Sequence, residues 1–292
     1  MTGPILTEDT EVVRARCLEA LAGVDRIVAV MSGKGGVGKS CVAVNLAAAL
    51  ARDGRRVGVL DADLHGPSVA KMLGLRGQPV RVARDGRLRP VSGPVGLAVQ
   101  SMDFFLQGGQ ALDWDGPDGE GAMFRSAMEQ AALADLVGRT DWGSLDALVV
   151  DLAPGADRLP ALLRWMPERL LALAVTIPTE VAQLAVERSL RRVLDARVRV
   201  AGLVENFASH VCDACGAEGP LFREAPSDAL AQRMGVALCA RIPFDPAVAR
   251  AADAGRPFLE GPGVATPAGR ALAGLAGHVL GYPAEEDPED DA

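Results

Sequence analysis

Residues 26–40 read RIVAVMSGKGGVGKS, and this stretch decides the fold. Residues 26–31 form an apolar run that predicts a buried strand, and the alanine-rich segment Lys39–Arg52 predicts a helix. Between them, residues 33–40 fit the pattern G-x-x-x-x-G-K-[S/T] of a phosphate-binding loop. A strand, a glycine-rich loop and a helix in this order predict a nucleotide-binding α/β protein.

The residue types in this loop suit the binding of a triphosphate. Glycines let backbone N–H groups turn towards the phosphates, and the following helix points its positive end at the anion. Lys39 is expected to reach the β- and γ-phosphates, and the Ser40 hydroxyl is expected to bind Mg²⁺. The predicted nucleotide contacts are Gly33, Lys34, Gly35, Gly36, Val37, Gly38, Lys39, Ser40 and Cys41.

Two carboxylate motifs follow predicted strands. The segment LVVD at 148–151 ends in Asp151, which we expect near Mg²⁺ through a water molecule. Asp61 and Asp63 follow a second strand at 56–60, and Asp63 is expected to position the attacking water. An aspartate after a strand also serves as a turn or helix-capping residue, and for Asp61 this alternative stays open.

Short apolar runs alternate with helical patterns along the rest of the chain, which predicts βαβ units. We therefore expect a doubly wound α/β fold with a mainly parallel sheet. Asp85-Gly86 predicts a hairpin turn at the sheet edge. Further strands are expected at 97–102, 145–150, 171–177, 198–204 and 237–242, and helices at 122–137, 179–194 and 266–280.

Composition and charge argue against several classes of protein. The net charge is −8, but six acidic residues lie in the last eight positions, so the rest of the chain is close to neutral. No basic footprint for nucleic acid is present, and no apolar run approaches the roughly 18 residues of a membrane span. We expect a cytoplasmic protein with a helical lead-in at 1–24, one P-loop domain at 25–281 and a frayed acidic tail at 282–292.

Cys212 and Cys215 form a C-x-x-C pair within an expected insertion near 208–220. Two thiolates on one turn can hold a metal, but a tetrathiolate site needs four sulfurs, which a two-fold homodimer would supply. A bridging [4Fe–4S] cluster, a bridging zinc ion and a redox-active or empty thiol pair all stay open on the sulfurs alone. His210 is a further candidate ligand because it precedes Cys212 by two residues, whereas His65 is better explained as a loop residue.

A second lysine, Lys34, directly follows Gly33, and this loop resembles the deviant Walker A signature of the MinD, ParA and nitrogenase iron protein class of dimerising ATPases. Within that class the chain is most similar to the Mrp/ApbC-type iron–sulfur cluster carriers. The likeness covers roughly residues 25–280 and rests on SGKGGVGKS (32–40), DADLHGPS (61–68), DLAPG (151–155), VEN (204–206), CDACG (212–216) and IPFDPAVARAADAGRP (242–257).

The resemblance implies a role for several single residues. Lys34 would reach the nucleotide of the partner across a homodimer interface. Asp63 in switch I and Gly155 in switch II would belong to the segments that sense the γ-phosphate. Asn206 would contact the adenine ring, and the segment around Pro243 would line the base pocket. The carrier family further implies ATP hydrolysis, a [4Fe–4S] cluster at the dimer interface and transfer of that cluster to apo iron–sulfur proteins.

The chain departs from the family pattern at several places. Cys41 stands where a threonine is usual, and Ala153 replaces a usual proline in switch II. The tryptophan-arginine-glycine-proline stretch that normally precedes Met123 is not recognisable. We expect ATP binding to survive these changes and turnover to be slow.

Two other functions compete with that of a cluster carrier. A nucleotide-dependent positioning or partner-binding switch like MinD, without a cluster, predicts a basic amphipathic helix near the C-terminus. This chain has acidic residues there instead. A nucleotide-binding scaffold with negligible turnover is the third alternative.

Overall fold

The computed structural model describes residues 9–106, 121–211, 218–222 and 226–283. The thiol pair Cys212 and Cys215 and the acidic residues 285–291 lie outside the described residues.

A nine-stranded sheet forms the centre of the described structure. The strands of the described residues are β1 (Ile27–Ser32), β2 (Val57–Ala62), β3 (Arg81–Val82), β4 (Leu88–Arg89), β5 (Val91–Ser92), β6 (Ala98–Ser101), β7 (Ala147–Leu152), β8 (Leu170–Thr176), β9 (Arg199–Val211), β10 (Glu218–Gly219) and β11 (Leu238–Phe244). In the central sheet the order is β10-β9-β8-β1-β7-β2-β6-β5, with β11 also paired to β9. The pairings in this sheet are parallel except those of β10 with β9 and of β5 with β6.

Helices cover both faces of this sheet. The helices of the described residues are α1 (Thr10–Ala20), α2 (Lys39–Arg52), α3 (Val69–Met72), α4 (Gly121–Gly138), α5 (Arg158–Leu163), α6 (Glu180–Asp195), α7 (Asp228–Met234), α8 (Pro246–Asp253) and α9 (Pro267–Gly281). One apolar cluster joins the sheet to α2 and α9, and a second joins its other face to α1, α4, α5, α6 and α7.

The central strand β1 shows why its sequence is continuously apolar. Val28 and Val30 belong to the first cluster, whereas Ile27, Ala29 and Met31 belong to the second. Helices cover both faces of the sheet, and successive side chains of a strand point to opposite faces. The residues of β1 therefore contact the two apolar clusters in alternation. This arrangement confirms the predicted doubly wound α/β fold with a mainly parallel sheet.

Two elements differ from the sequence prediction in their extent or place. The hairpin at Asp85-Gly86 forms, but β3 and β4 pair with each other as a separate two-stranded sheet, and β5 is the strand at the edge of the central sheet. Strand β9 continues to Val211 rather than ending near residue 204, because β11 pairs with its second half. None of the described helices is long and apolar enough to cross a lipid bilayer.

Candidate nucleotide site

The loop between β1 and α2 owes its shape to two glycines with left-handed backbone conformations. Gly36 has a φ of 80° and Gly38 a φ of 81°. Residues with a Cβ rarely adopt this region, and Gly38 is also the N-cap residue of α2. The loop thus ends at a helix N-terminus, where backbone N–H groups and the helix dipole favour an anion.

Two other elements pack so closely against this loop that a side chain would not fit. A Cβ on Gly33 would lie 2.1 Å from the carbonyl carbon of Ala185 in α6. A Cβ on Gly38 would lie 2.2 Å from the side-chain nitrogen of Asn206 in β9. The loop is therefore clamped between α6 and β9.

The ammonium group of Lys39 meets both predicted magnesium-binding residues. Its Nζ donates to Asp151 Oδ1 in a buried ion pair and to Ser40 Oγ at 3.2 Å. Asp151 Oδ2 is buried without a hydrogen-bond partner among the described residues. A hydroxyl beside a carboxylate oxygen that still lacks a partner fits Mg²⁺ with its bound water, since Mg²⁺ prefers oxygen ligands and keeps several waters.

A second buried carboxylate lies next to Asp151. Asp61 of β2 is paired in register with Asp151 of β7, and both are fully buried. Burial, followed by the nearby charge of Asp151, raises the pKa of Asp61 from 3.8 to about 8. Burial also raises the pKa of Asp151, against the opposing effect of the Lys39 ammonium. The sheet thus holds two acidic groups beside a single lysine.

Asp61 holds the segment that carries Asp63. Its Oδ2 accepts hydrogen bonds from the backbone N–H groups of Ser68 and Val69 and from the Ser101 hydroxyl, each at 3.1 Å. This agrees with the capping role left open for Asp61. The carboxylate of Asp63 is half-buried, and its Oδ1 accepts from the Gly66 N–H at 3.1 Å.

The switch II segment is attached to the end of β1. The Gly155 N–H donates to the Ser32 carbonyl at 3.0 Å, and Gly155 has a φ of 124° that favours glycine. The Ser32 hydroxyl in turn donates to the carbonyl of Lys34 at 3.0 Å. Lys34 itself is half-buried. Because Ser32 bonds both to Gly155 and to Lys34, the phosphate-binding loop and switch II lie side by side.

Asn206 touches the phosphate-binding loop directly. Its side-chain nitrogen donates to the Val37 carbonyl at 2.8 Å, and the residue is buried. Pro243 lies beside it on β11, where the adjacent Ile242 is paired in register with Asn206. Phe207 follows with a φ of 56° and meets Phe244 edge to face at 5.4 Å between ring centroids. A bulky residue in a left-handed conformation marks a constrained position, here next to the loop.

Three further candidates have defined surroundings. Cys41 lies in the first turn of α2, where burial raises the pKa of its thiol to about 11 and Asn45 donates to its backbone carbonyl. His65 lies 2.7 Å from a carboxylate oxygen of Glu129 rather than in a cluster of metal ligands. His210 packs near the Phe244 ring, at 6.2 Å between centroids, just before the residues that lie outside the description.

Sequence reasoning missed two features of the site. It gave Glu129 no role, since one glutamate on a helix face carries no motif. It also could not find the contact of Lys39 with Asp151, because 112 residues separate the two partners. A pattern that ends a buried strand in aspartate was the available signal for Asp151.

Comparisons with known proteins show to which family the chain is similar. The profile of a family described as "ParA: NUBPL iron-transfer P-loop NTPase" matches residues 23–279. The chain is 41% identical over 233 residues to an iron–sulfur cluster carrier protein of Saccharolobus solfataricus, covering 80% of this chain and 75% of that protein. It is 42% identical over 280 residues to an iron–sulfur cluster carrier protein of Deinococcus radiodurans, covering 95% and 76%.

Solved structures give the same picture. A nucleotide-binding protein of Archaeoglobus fulgidus in complex with ADP is similar with a TM-score of 0.71 and 32% identity, over 85% of this chain and 94% of that chain. The cell division ATPase MinD of Pyrococcus furiosus is similar with a TM-score of 0.60 and 22% identity, over 88% and 98%. The second likeness shows the fold alone.

Proposed function

Because the chain belongs to the ParA/NUBPL family of iron-transfer P-loop NTPases and is a P-loop ATPase, we propose that it is a carrier of iron–sulfur clusters. In this proposal two copies of the chain hold one [4Fe–4S] cluster between them and pass the cluster to apo-proteins. Cys212 and Cys215 of each copy supply the four thiolates. The C-x-x-C pair within a carrier-like sequence is the observation that carries the proposal.

The nucleotide part of the proposal assigns tasks to the residues gathered at the loop. Backbone N–H groups of residues 33–40 and the Lys39 ammonium hold the phosphates. Ser40 and, through water, Asp151 hold Mg²⁺, which neutralises the charge that develops on the transferred phosphoryl group. Asp63 orients the attacking water. Cys41, which follows Ser40, faces the α-phosphate.

The base part of the site lies at β9 and β11. Asn206 contacts the adenine ring, and Pro243 lines the pocket that receives the ring. The buried position of Asn206 beside Val37 supports this assignment, because it places the amide next to the loop that holds the phosphates.

The homodimer brings Lys34 of one copy to the nucleotide of the other. Two exposed apolar side chains beside the loop support an interface on this face. Val181 is 69% exposed and Leu184 58% exposed on the first turns of α6. The same helix packs against Gly33 through Ala185. A second copy that covers this face would bury the two side chains together with the nucleotide.

Strand β9 offers a route from the nucleotide to the thiols. Asn206 contacts the phosphate-binding loop, and the strand continues to Val211, the residue before Cys212. Nucleotide binding that shifts Asn206 therefore acts on the strand that leads to the thiol pair. We propose that nucleotide binding shifts the dimer in this way between a state that holds the cluster and a state that releases the cluster.

Anaerobic purification with iron, sulfide and zinc analysis tests the cargo. Cys212→Ser and Cys215→Ser should each lose the iron and sulfide and the absorption of the cluster. Cys239→Ala is the matched control, because this thiol is partly buried and donates to the Leu203 carbonyl at 3.2 Å. Zinc instead of iron and sulfide, or full iron content in both serine variants, would contradict the proposed cargo. ATP binding without any metal would favour the MinD-like switch.

A further inference from the structure

Glu129 of α4 contacts both segments that the family resemblance assigns to switch I and switch II. Its Oε1 lies 2.7 Å from Nε2 of His65, two residues after Asp63. Its Oε2 accepts a hydrogen bond from a guanidinium nitrogen of Arg158 at 3.1 Å, at the start of α5 and three residues after Gly155. One carboxylate thus joins two segments that are far apart in the sequence.

The carboxylate of Glu129 is largely covered, whereas its two partners reach solvent. The Glu129 side chain is 21% exposed, and those of His65 and Arg158 are 45% and 42% exposed. Solvent therefore screens both contacts in part, and each one alone contributes modestly. A small cavity of about 30 Å³ lies beside it, and its lining includes Leu64 of switch I and Ala153 of switch II. The two segments therefore meet at Glu129 without packing tightly against each other.

We propose that Glu129 is a positioning residue that couples the two switch segments, so that Asp63 and Gly155 respond to the γ-phosphate together. The proposal rests on the proposed function, since it uses the role given there to Asp63 together with the sensing of the γ-phosphate that the family resemblance implies for Gly155. Glu129 acts through His65 and Arg158 and does not itself reach the phosphates.

The contact restrains switch II beyond its own proline. Pro154 restricts the backbone at the start of the segment, including that of Ala153 before it. Arg158 lies four residues after Pro154 and ties the segment to α4 through Glu129.

Glu187 provides a matched control on another part of the molecule. It also accepts from two cationic side chains, Arg191 at 2.7 Å and Arg233 at 3.3 Å, and its side chain is 16% exposed. These contacts join α6 to α7, neither of which carries a switch residue. Glu187→Ala therefore removes a similar network while leaving the switch segments in contact with each other.

Single-turnover ATP hydrolysis by single variants, and by double variants in the wild-type and Glu129→Ala backgrounds, tests the coupling. Glu129→Ala should lower the hydrolysis rate about threefold to tenfold, as expected for a shared hydrogen-bond network, while ADP affinity changes by less than about twofold. Glu187→Ala should leave both unchanged. In the wild-type background, the double variant His65→Ala/Arg158→Ala should lose less hydrolysis rate than the product of the two single losses, because both side chains act through Glu129. In the Glu129→Ala background, the two losses should simply multiply.

Two results would overturn the inference. One is a wild-type hydrolysis rate in Glu129→Ala, and the other is independent multiplication of the His65 and Arg158 effects while Glu129 is present. Glu129→Gln, which keeps one acceptor oxygen, provides the same test if the alanine variant is unstable. Asp63→Asn separates the two levels: normal hydrolysis in that variant refutes the proposed role of switch I, whereas a slow Asp63→Asn beside a wild-type Glu129→Ala refutes only the coupling.

Discussion

Replacing Asp61 by asparagine should remove a specific pH dependence of stability. The pKa of Asp61 is raised from 3.8 to about 8 by burial and by the charge of Asp151. Between these values the folded chain keeps a proton that the unfolded chain releases. The stabilisation of the folded chain by this bound proton is therefore complete below about pH 4 and is lost as the pH rises towards about 8.

The size of the effect follows from proton linkage. When the folded state holds one more proton than the unfolded state, the free energy of unfolding falls by about 1.4 kcal/mol for each unit by which the pH rises. From about pH 5 to about pH 7, Asp61 should thus cost up to about 3 kcal/mol in the wild type and nothing in Asp61→Asn. Asp151 has a raised pKa too, and because the two carboxyl groups interact, the difference between the proteins reports the loss of one proton from this pair.

Urea unfolding of nucleotide-free protein at several pH values measures this difference. Asp146→Asn is the control, because hydrogen bonds from Arg56 lower the pKa of Asp146 to about 2, so this group titrates below the range used. The control should follow the wild type. Equal pH dependence in the wild type and Asp61→Asn would refute the assignment of a protonated, buried Asp61.

Three further predictions concern the nucleotide loop and its surface. Gly38→Ala should weaken ADP binding by more than tenfold in calorimetric titrations, and by more than Gly36→Ala does. Both glycines have positive φ, but only a Cβ on Gly38 would clash, because it would lie 2.2 Å from the side-chain nitrogen of Asn206. Equal losses would contradict this reasoning. Cys41→Thr should tighten ADP binding up to about tenfold by adding a hydroxyl for the α-phosphate, and unchanged affinity would place Cys41 away from it. Val181→Glu with Leu184→Glu should abolish ATP-dependent dimers in light scattering while ADP still binds, and intact dimers would move the interface elsewhere.

The fold could be predicted because its signals are local. A continuous apolar strand, a glycine loop and an alanine-rich helix follow each other within residues 27–52, and each element forms through its own neighbours. The helix α5 was missed because it has only six residues with Pro160 inside, which hides a helical pattern. Strand β9 was cut short since its second half, beginning at Glu205, lacks the continuous apolar run of a buried strand.

The site could be predicted only where a residue type is tied to a motif. Gly38 and Lys39 belong to one short pattern, so their positions follow from the sequence. The role of Asp61 as an anchor depends on Ser101, 40 residues away, and the contacts of Glu129 depend on the packing of α4 against two loops. Such contacts arise from the tertiary arrangement and leave no periodic trace in the chain.

The most direct test of the central claim is the mass and iron content of the reconstituted protein. We expect anaerobic reconstitution with iron and sulfide to give a species of two chains that holds one [4Fe–4S] cluster, seen by native mass spectrometry. Cys215→Ser should give cluster-free chains under the same conditions. A complete cluster on a single chain, or a dimer that never takes up iron, would contradict the account.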